Sequence, residues 1–578
     1  MLESGSDRAQ GIPRGAQWAT PQLLQQTRRR FPMKLPEVGV VLGMIFAGAG
    51  PAASASDGLI GHWPLAGDVR DHSGQNRHGV NHGVDLGAAG PDGKVGTAAG
   101  FDGRTAWIEV PGGGLPLATG DFSIAVRVYM AKDLDDVPGD ILSQFDPAAR
   151  RGLNFGILSL PGSTGSQPND RNVHFGIDNA RLEPWVDHGQ LGASNYVMAM
   201  AVFDGNLYAG TSEEIGHVYR FDRDQKWIDC GTPDKANAIT SLAVLDGQLY
   251  AGSGRYHFLG SRLPETKNQE LGGSVYRYKG GTQWEHCGRV STETETIGGL
   301  VAFRGKLYAS SAYRPAGLFR YDGGTAWTAL GSLGGRRSEA LGVHNGRIYT
   351  SVWDGGSVFE FDGEKFTDLG KGEGATQAYA LVNHAGGLMV ATWPLGKMYR
   401  WAGGQQWPDA GRLGEETEVM ATAHYNGKVY AGTLPLAKVF RYEDGTTWTD
   451  LGRLDHTPDV IYRRVWSAAV YRGRLFCGTL PEGRVHSMAA GRVATVDRSL
   501  APGWRHLSAA RRGGKLEIFV DGVKAAESAS FDPADFDLTN GRPLRIGTGE
   551  NATFNGRMAD LRVYDRALSP TEIRTLSR

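Results

Sequence analysis

Hydrophobic positions in the middle of the chain come in short alternating bursts. Between Leu300 and Gly331 the runs LVAFRG, KLYASS, GLFRYD and AWTALG are separated by Gly- and Asp-rich breaks. Period-two alternation built from Val, Leu, Tyr and Phe predicts four short, half-buried strands. The whole burst then repeats. A Gly-x-Leu-Tyr-Ala-Gly unit is anchored at Tyr208, Tyr250, Tyr308, Tyr349, Met389, Tyr430 and Phe476. A Trp-x-x-x-Gly unit is anchored at Trp185, Trp227, Trp284, Trp327, Phe366, Trp407 and Trp448. Most steps in both series lie near 41 residues, and both stretch at one place, to 58 and 57, so one unit carries an insertion within Arg255 to Gly272.

Seven four-stranded units of this period predict a seven-bladed β-propeller. Helical repeats of similar length are disfavoured by the glycine and β-branched content. The Trp series opens first and the Tyr series closes last. The last blade is therefore expected to take its outer strand from residues 181–189 and its other three from 465–488, closing the ring and bringing the two ends of the segment together.

Composition narrows the class. Lys and Arg number 61 against 62 Asp and Glu, a formal charge of −1, which argues against a nucleic-acid or anionic-membrane binder. Glycine fills 84 of 578 positions without a strict triplet, so the chain reads as turn-rich and folded, not collagenous. Three cysteines cannot supply a disulfide framework; Cys230 and Cys287 fall at equivalent places in neighbouring blades and read as buried fillers. Residues 1–55 read as a leader: Lys34, an apolar run from Val38 to Ala49, then Ala53-Ser54-Ala55. This is a secretory pattern, too short to span a bilayer, and it predicts a secreted, periplasmic or cell-surface protein cleaved near Ala55, with either Met1 or Met33 as its start.

The flanks do not share the period. Before the repeats stand GLIGHWPLAGDVRDHSG, FDGRTAWIEV and FSIAVRVYM; after them stand GWRHLSAARRGGKLEIFVDG and DLRVYDRALS. These resemble the laminin-G-like, concanavalin A-like jelly-roll family, over residues 56–180 and 491–578. Neither flank holds the whole pattern, and splicing VHFGIDN onto GRVATVDRSLAPGWRHL restores it, so the propeller of residues 181–490 is expected to be inserted into a loop of the sandwich. The resemblance implies an all-β fold, glycan recognition and a structural Ca²⁺ between early and late strands, with Asp68, Asp71 and Asp560 offering oxygen ligands. The hairpins DGGTAW (322–327) and EDGTTW (443–448) resemble degenerate Asp-boxes of sialidase-type propellers. Arg320 and Arg441 stand where the serine would be, and the acid persists as Asp222, Asp322 and Glu443. In that family the box is a fold-stabilising turn.

Candidate chemistry gathers on one propeller face. Counting nine residues back from each blade's turn glycine gives Tyr196, Ala238, Thr296, Arg337, Ala378, Glu418 and Arg464, which are expected to converge near the axis. The loops above them bring Tyr256, His257, Tyr313, Arg314, Trp353, Trp393 and Tyr462. Aromatic platforms beside guanidinium forks suit a sugar or uronic acid. Glu339 and Glu418, with Tyr462, are the candidates for acid/base hydrolysis, which needs two carboxylates at a set separation. His344, His384 and His424 recur every 40 residues, but His424 is one position out of register, which turns its ring to the other strand face and argues against a shared metal. The expected function is thus an exported protein that binds a polysaccharide or glycoconjugate. The alternatives are a polysaccharide-degrading hydrolase, sialidase-like enzyme or lyase at the propeller mouth, and a surface module for a protein partner.

Overall fold

The computed structural model describes residues 57–222, 226–313 and 316–578; the leader and Arg314 lie outside the described residues. Among the described residues seven four-stranded antiparallel blades stand side by side around an axis. Their innermost strands are Tyr196–Phe203, Ala238–Leu245, Ile297–Phe303, Ser338–His344, Gln377–His384, Glu418–Tyr425 and Arg464–Tyr471. Each packs against the next, and the last packs against the first. The closure follows the expected scheme: Val186–Gln190 pairs with Arg484–Met488 as the outer strand of the seventh blade. Its start is shifted from the expected 181 to Val186, because the preceding strand Asn172–Leu182 is held by the sandwich, where Leu182 pairs with Ala490.

The two sequence series now have causes. In six blades the Trp of Trp-x-x-x-Gly donates its indole N–H to a backbone carbonyl of the preceding blade. Trp227 reaches His188, Trp284 reaches Cys230, Trp327 reaches Cys287, Trp407 reaches Leu369, Trp448 reaches Ala410 and Trp185 reaches Leu451, at 2.8–3.2 Å. An indole fills the wedge between diverging blades and caps a carbonyl there. The glycine ending Leu-Tyr-Ala-Gly lies under the next innermost strand: a Cβ on Gly210 would sit 2.8 Å from Ile239, and one on Gly432 only 2.5 Å from Val465.

The sandwich has two sheets around one apolar core that includes Trp63, Phe122, Phe155, Phe175, Leu507 and Leu561. One sheet is built on Phe122–Met130, Gly503–Arg512 and Asn555–Tyr564, the other on Gly139–Asp146, Arg151–Leu158, Asn172–Leu182 and Ala490–Thr495. Direct pairing of Asn172–Leu182 with Ala490–Thr495 puts the ring of blades inside the connection between two neighbouring sandwich strands. The second sheet is buried on both faces, because the turns at the lower end of the blades rest on it. A Cβ on Gly427 would meet Phe145 at 2.7 Å, and one on Gly473 would meet the carbonyl oxygen of Val493 at 2.0 Å.

From the same sheet the loop after Arg151–Leu158 rises into the propeller axis. Residues 159–169 are all buried. They satisfy the edges of several innermost strands: Val202, Leu300 and Leu381 donate their N–H to the carbonyls of Pro168, Gly165 and Gly162, at 2.7–3.0 Å. The Asn169 amide bonds Val470 in both directions, and Gln167 N–H donates to Leu242 O. The channel is therefore plugged from below. Nothing in the run LPGSTGSQPND announces this role.

Candidate functional site

With the lower end stopped, the upper mouth is a blind pit of about 360 Å³. Its walls come from loops and strand starts of several blades: Tyr256, Tyr313, Trp353, Trp393, Tyr462 and Trp466 supply rings, and Gln377, Tyr379, Arg337, Glu418 and Arg464 supply polar groups. His257 stands at the rim, edge-on to Tyr313 at 5.2 Å. Tyr313 is in turn edge-on to Trp353 at 5.9 Å. The insertion predicted within Arg255 to Gly272 folds over one side. Its short 3-10 turn Phe258–Ser261 stacks Phe258 on Tyr196 and sets Ser261 against Tyr256 and Arg464.

The floor is a buried ion pair. Arg464 reaches Glu418 at 2.8 Å, and the two side chains are only 7% and 3% exposed. Glu418 also accepts from Tyr379 Oη at 3.1 Å. Burial works against the guanidinium charge, but the Glu418 carboxylate outweighs it and holds the Arg464 pKa above its ordinary value. Burial, then the charge of Glu418, pushes the Tyr379 hydroxyl well above the usual phenol range. Tyr462 lies under the Arg464 guanidinium at 5.5 Å. At the rim Arg337 grips Asp354 with Nη2–Oδ1 at 2.7 Å and covers Trp353 at 5.1 Å.

Glu339 sits lower, in a narrow chamber it shares with Trp353, Tyr256 and Trp466. Burial first, then the nearby Glu418 charge, pushes its carboxyl up to about 8, against the pull of Arg464 and Arg337. Because the native value lies above the unfolded one of 4.5, the stabilisation is complete below pH 4.5 and is lost as pH rises through about 8. Glu339→Gln, which stays neutral, is expected to flatten this decline in a series of urea melts from pH 5 to pH 9. An unchanged slope would show that Glu339 does not titrate there.

One expectation needs correction. The residue converging from the fifth blade is Gln377, not Ala378: the hairpin turn is Ala385-Gly386, with His384 paired to Gly387, so counting from the second of two consecutive glycines slipped the register by one. Of the aspartates considered for Ca²⁺, Asp71 and Asp560 both bond His62, and no cluster of three or more side chains that could hold a metal occurs among the described residues. Asp71 accepts N–H bonds from His62, Ser73 and Arg77; burial alone would raise its pKa, but these donors outweigh it and hold it low. Asp68 accepts from Arg70 N–H, and Asp560 from His62 and Arg562, at 2.8–3.0 Å. The Asp71 carboxylate, with both oxygens facing N–H and O–H donors, does not fit a cation.

Sequence reasoning missed Tyr379, Trp466 and Ser261. The first two stand two residues beyond Gln377 and Arg464, on the same face of their strands, so alternation itself held the signal. The Asp-box-like hairpins lie away from the pit: Asp322 accepts from Arg320 and Thr328, and Glu443 from Arg441 and Thr449. Cys230, Cys287 and Cys477 are free and buried. No helix among the described residues is long and apolar enough to cross a membrane.

No curated protein matches the chain. Among solved structures with a similar fold are a streptogramin B lyase, at 8% identity over 54% of this chain and 98% of that one, TM-score 0.44, and YCF48 from Cyanidioschyzon merolae, at 11% over 53% and 99%, TM-score 0.39. The family model of the concanavalin A-like lectin/glucanases superfamily matches residues 477–574, from within the last blade to the C-terminal helix Pro570–Leu576. A concanavalin A-like domain, completed by strands from before the propeller, is thus the part of this chain with a family assignment.

Proposed function

We propose that the mouth of the propeller binds a neutral glycan. The observation that carries this reading is the blind, ring-lined pit whose cations are already paired. Six aromatic side chains offer faces for sugar C–H groups, and Gln377, Tyr379 and the outer edges of the ion pairs offer hydrogen bonds to hydroxyls. Arg337 is occupied by Asp354, Arg464 by Glu418 and Arg255 by Glu295, so no free guanidinium fork remains among them to clamp a ligand carboxylate. That favours neutral sugars over uronic acids. The hydrolytic alternative is less well supported: both Glu418 oxygens are engaged, by Arg464 and Tyr379, and Glu339 lies in the chamber below. The sandwich is the less favoured binding element, since the propeller covers one of its sheets.

Binding of the full chain to a glycan array, followed by titration of the best hit, tests this. Trp353→Ala is expected to weaken that hit at least about tenfold, the scale of a central aromatic anchor. Retention of no glycan, or equal affinity of the variant, would reject the proposal. Reducing ends released by the wild type and lost in Glu418→Gln would favour the enzyme instead.

A further inference from the structure

Where the buried sandwich sheet meets blades five and six, three imidazoles are shut away from solvent. His174 projects from the sandwich strand Asn172–Leu182, and His384 and His424 from the innermost strands of the two blades. They are 4%, 7% and 2% exposed, and the rings of His384 and His424 lie 6.2 Å apart. His384 Nδ1 donates to the carbonyl of Glu550, a sandwich residue, at 2.9 Å. Neither ring nitrogen of His174 has a hydrogen-bond partner, and His424 has beside it only the Glu550 carbonyl that His384 already holds, too weak a pull to offset burial. Polar atoms of Asn154, Ser163 and Asn426 close to this joint are unpartnered as well. Such a density of buried polar atoms is costly and concentrates in one contact between host and guest.

The charges around the cluster decide what a proton would do. Arg400 comes from blade five; Lys428, Glu443 and Asp444 come from blade six; Glu550 and Asp140 come from the sandwich. Lys428 already holds Glu443, at 3.3 Å. Burial, opposed by the Asn551 N–H, raises Asp140 to about 7, and burial raises Glu550 too, so both tend to be neutral in acid. A protonated imidazole here would find like charge beside it and little free counter-charge.

We propose that this joint is an acid-operated release: protonation of His174 and His424 drives the sandwich sheet off blades five and six and withdraws the axial loop of residues 159–171 from the channel. Burial holds His174 and His384 down to about 4 and His424 well below the ordinary value. Their folded values lie below the unfolded one, so their contribution is complete above pH 6.5 and is lost as pH falls through about 4. The sandwich core around Trp63 and Phe122 holds no blade residue, so the contact is expected to open before that core melts, exposing Leu158, Leu160, Ala490 and Val493, which pack among residues of blades six and seven.

Small-angle scattering of the full chain, paired with far-ultraviolet circular dichroism at each pH from 7 to 4, reads the two events separately. The radius of gyration is expected to rise reversibly on acidification while the dichroism is unchanged. The double variant His174→Asn/His424→Asn should stay compact about one pH unit lower; if it does not fold, His384→Gln, which keeps a donor for the Glu550 carbonyl, should shift the same transition downward. A wild type that keeps its radius until the dichroism collapses would overturn the proposal, as would variants that open at the wild-type pH.

Discussion

Replacing Arg464 by Met is expected to cost about 3–5 kcal/mol of stability, because it leaves the Glu418 carboxylate buried without its cation. The loss is that large only because water cannot reach the site: the side chains are 7% and 3% exposed, and Tyr379 alone would remain to hold the acid. The double variant Arg464→Met/Glu418→Leu should recover most of the loss, since an apolar pair of similar volume removes the desolvation cost along with the attraction. Urea unfolding of the two variants beside the wild type measures both numbers. A single variant costing under about 1 kcal/mol, or a double variant no more stable than the single, would mean the pair is wetter than its surroundings indicate.

The second large effect is expected at Gly165, at the tip of the axial loop. A Cβ there would lie 2.3 Å from the carbonyl oxygen of Gly298 and 2.9 Å from that of Thr240, both backbone atoms of innermost strands that cannot swing aside. Gly165→Val should unseat the loop at a cost of about 3 kcal/mol, combining overpacking with the lost bond from Leu300 N–H to Gly165 O. Hydrogen exchange at Leu300 and Leu381, whose amides are capped by the loop, reports it directly. Wild-type protection at both amides in the variant would contradict the packing described.

Both residues illustrate what sequence could and could not disclose. The blades were legible because each is a local unit: alternation builds its strands, and the recurring Trp and Gly answer the same wedge and the same close approach in every copy. Arg464 and Glu418 were legible as residues near the axis, since the repeat fixes height along each strand. That they neutralise each other was not, because the repeat fixes height along a strand but not the direction in which a long side chain reaches across the seam to the next blade. The grip of Arg337 on Asp354 was hidden too, since it joins two loops of one blade whose spacing the repeat does not set. Gly386-Gly387 shows how a repeat can mislead by one position: either glycine fits the motif, and only the hairpin pairing decides that Gln377 faces the pit. Asp71 looked like a cation ligand from its carboxylate alone, whereas the backbone N–H groups around it, invisible to composition, make it a turn acid. The axial loop was the least legible element. Its residues have no period, and their burial comes wholly from the channel that receives them.

The sandwich strands nearest the two described chain ends lie against each other, Leu59 opposite Tyr564 and Trp63 opposite Leu561. A pull applied between those ends would peel this one antiparallel pair bond by bond, starting at Leu59. The blades, strung between Asn172–Leu182 and Ala490–Thr495, lie outside that path and would bear no tension until the host had already come apart. Anchored by its ends on a moving surface, the molecule would keep its pit undistorted while its frame takes the strain.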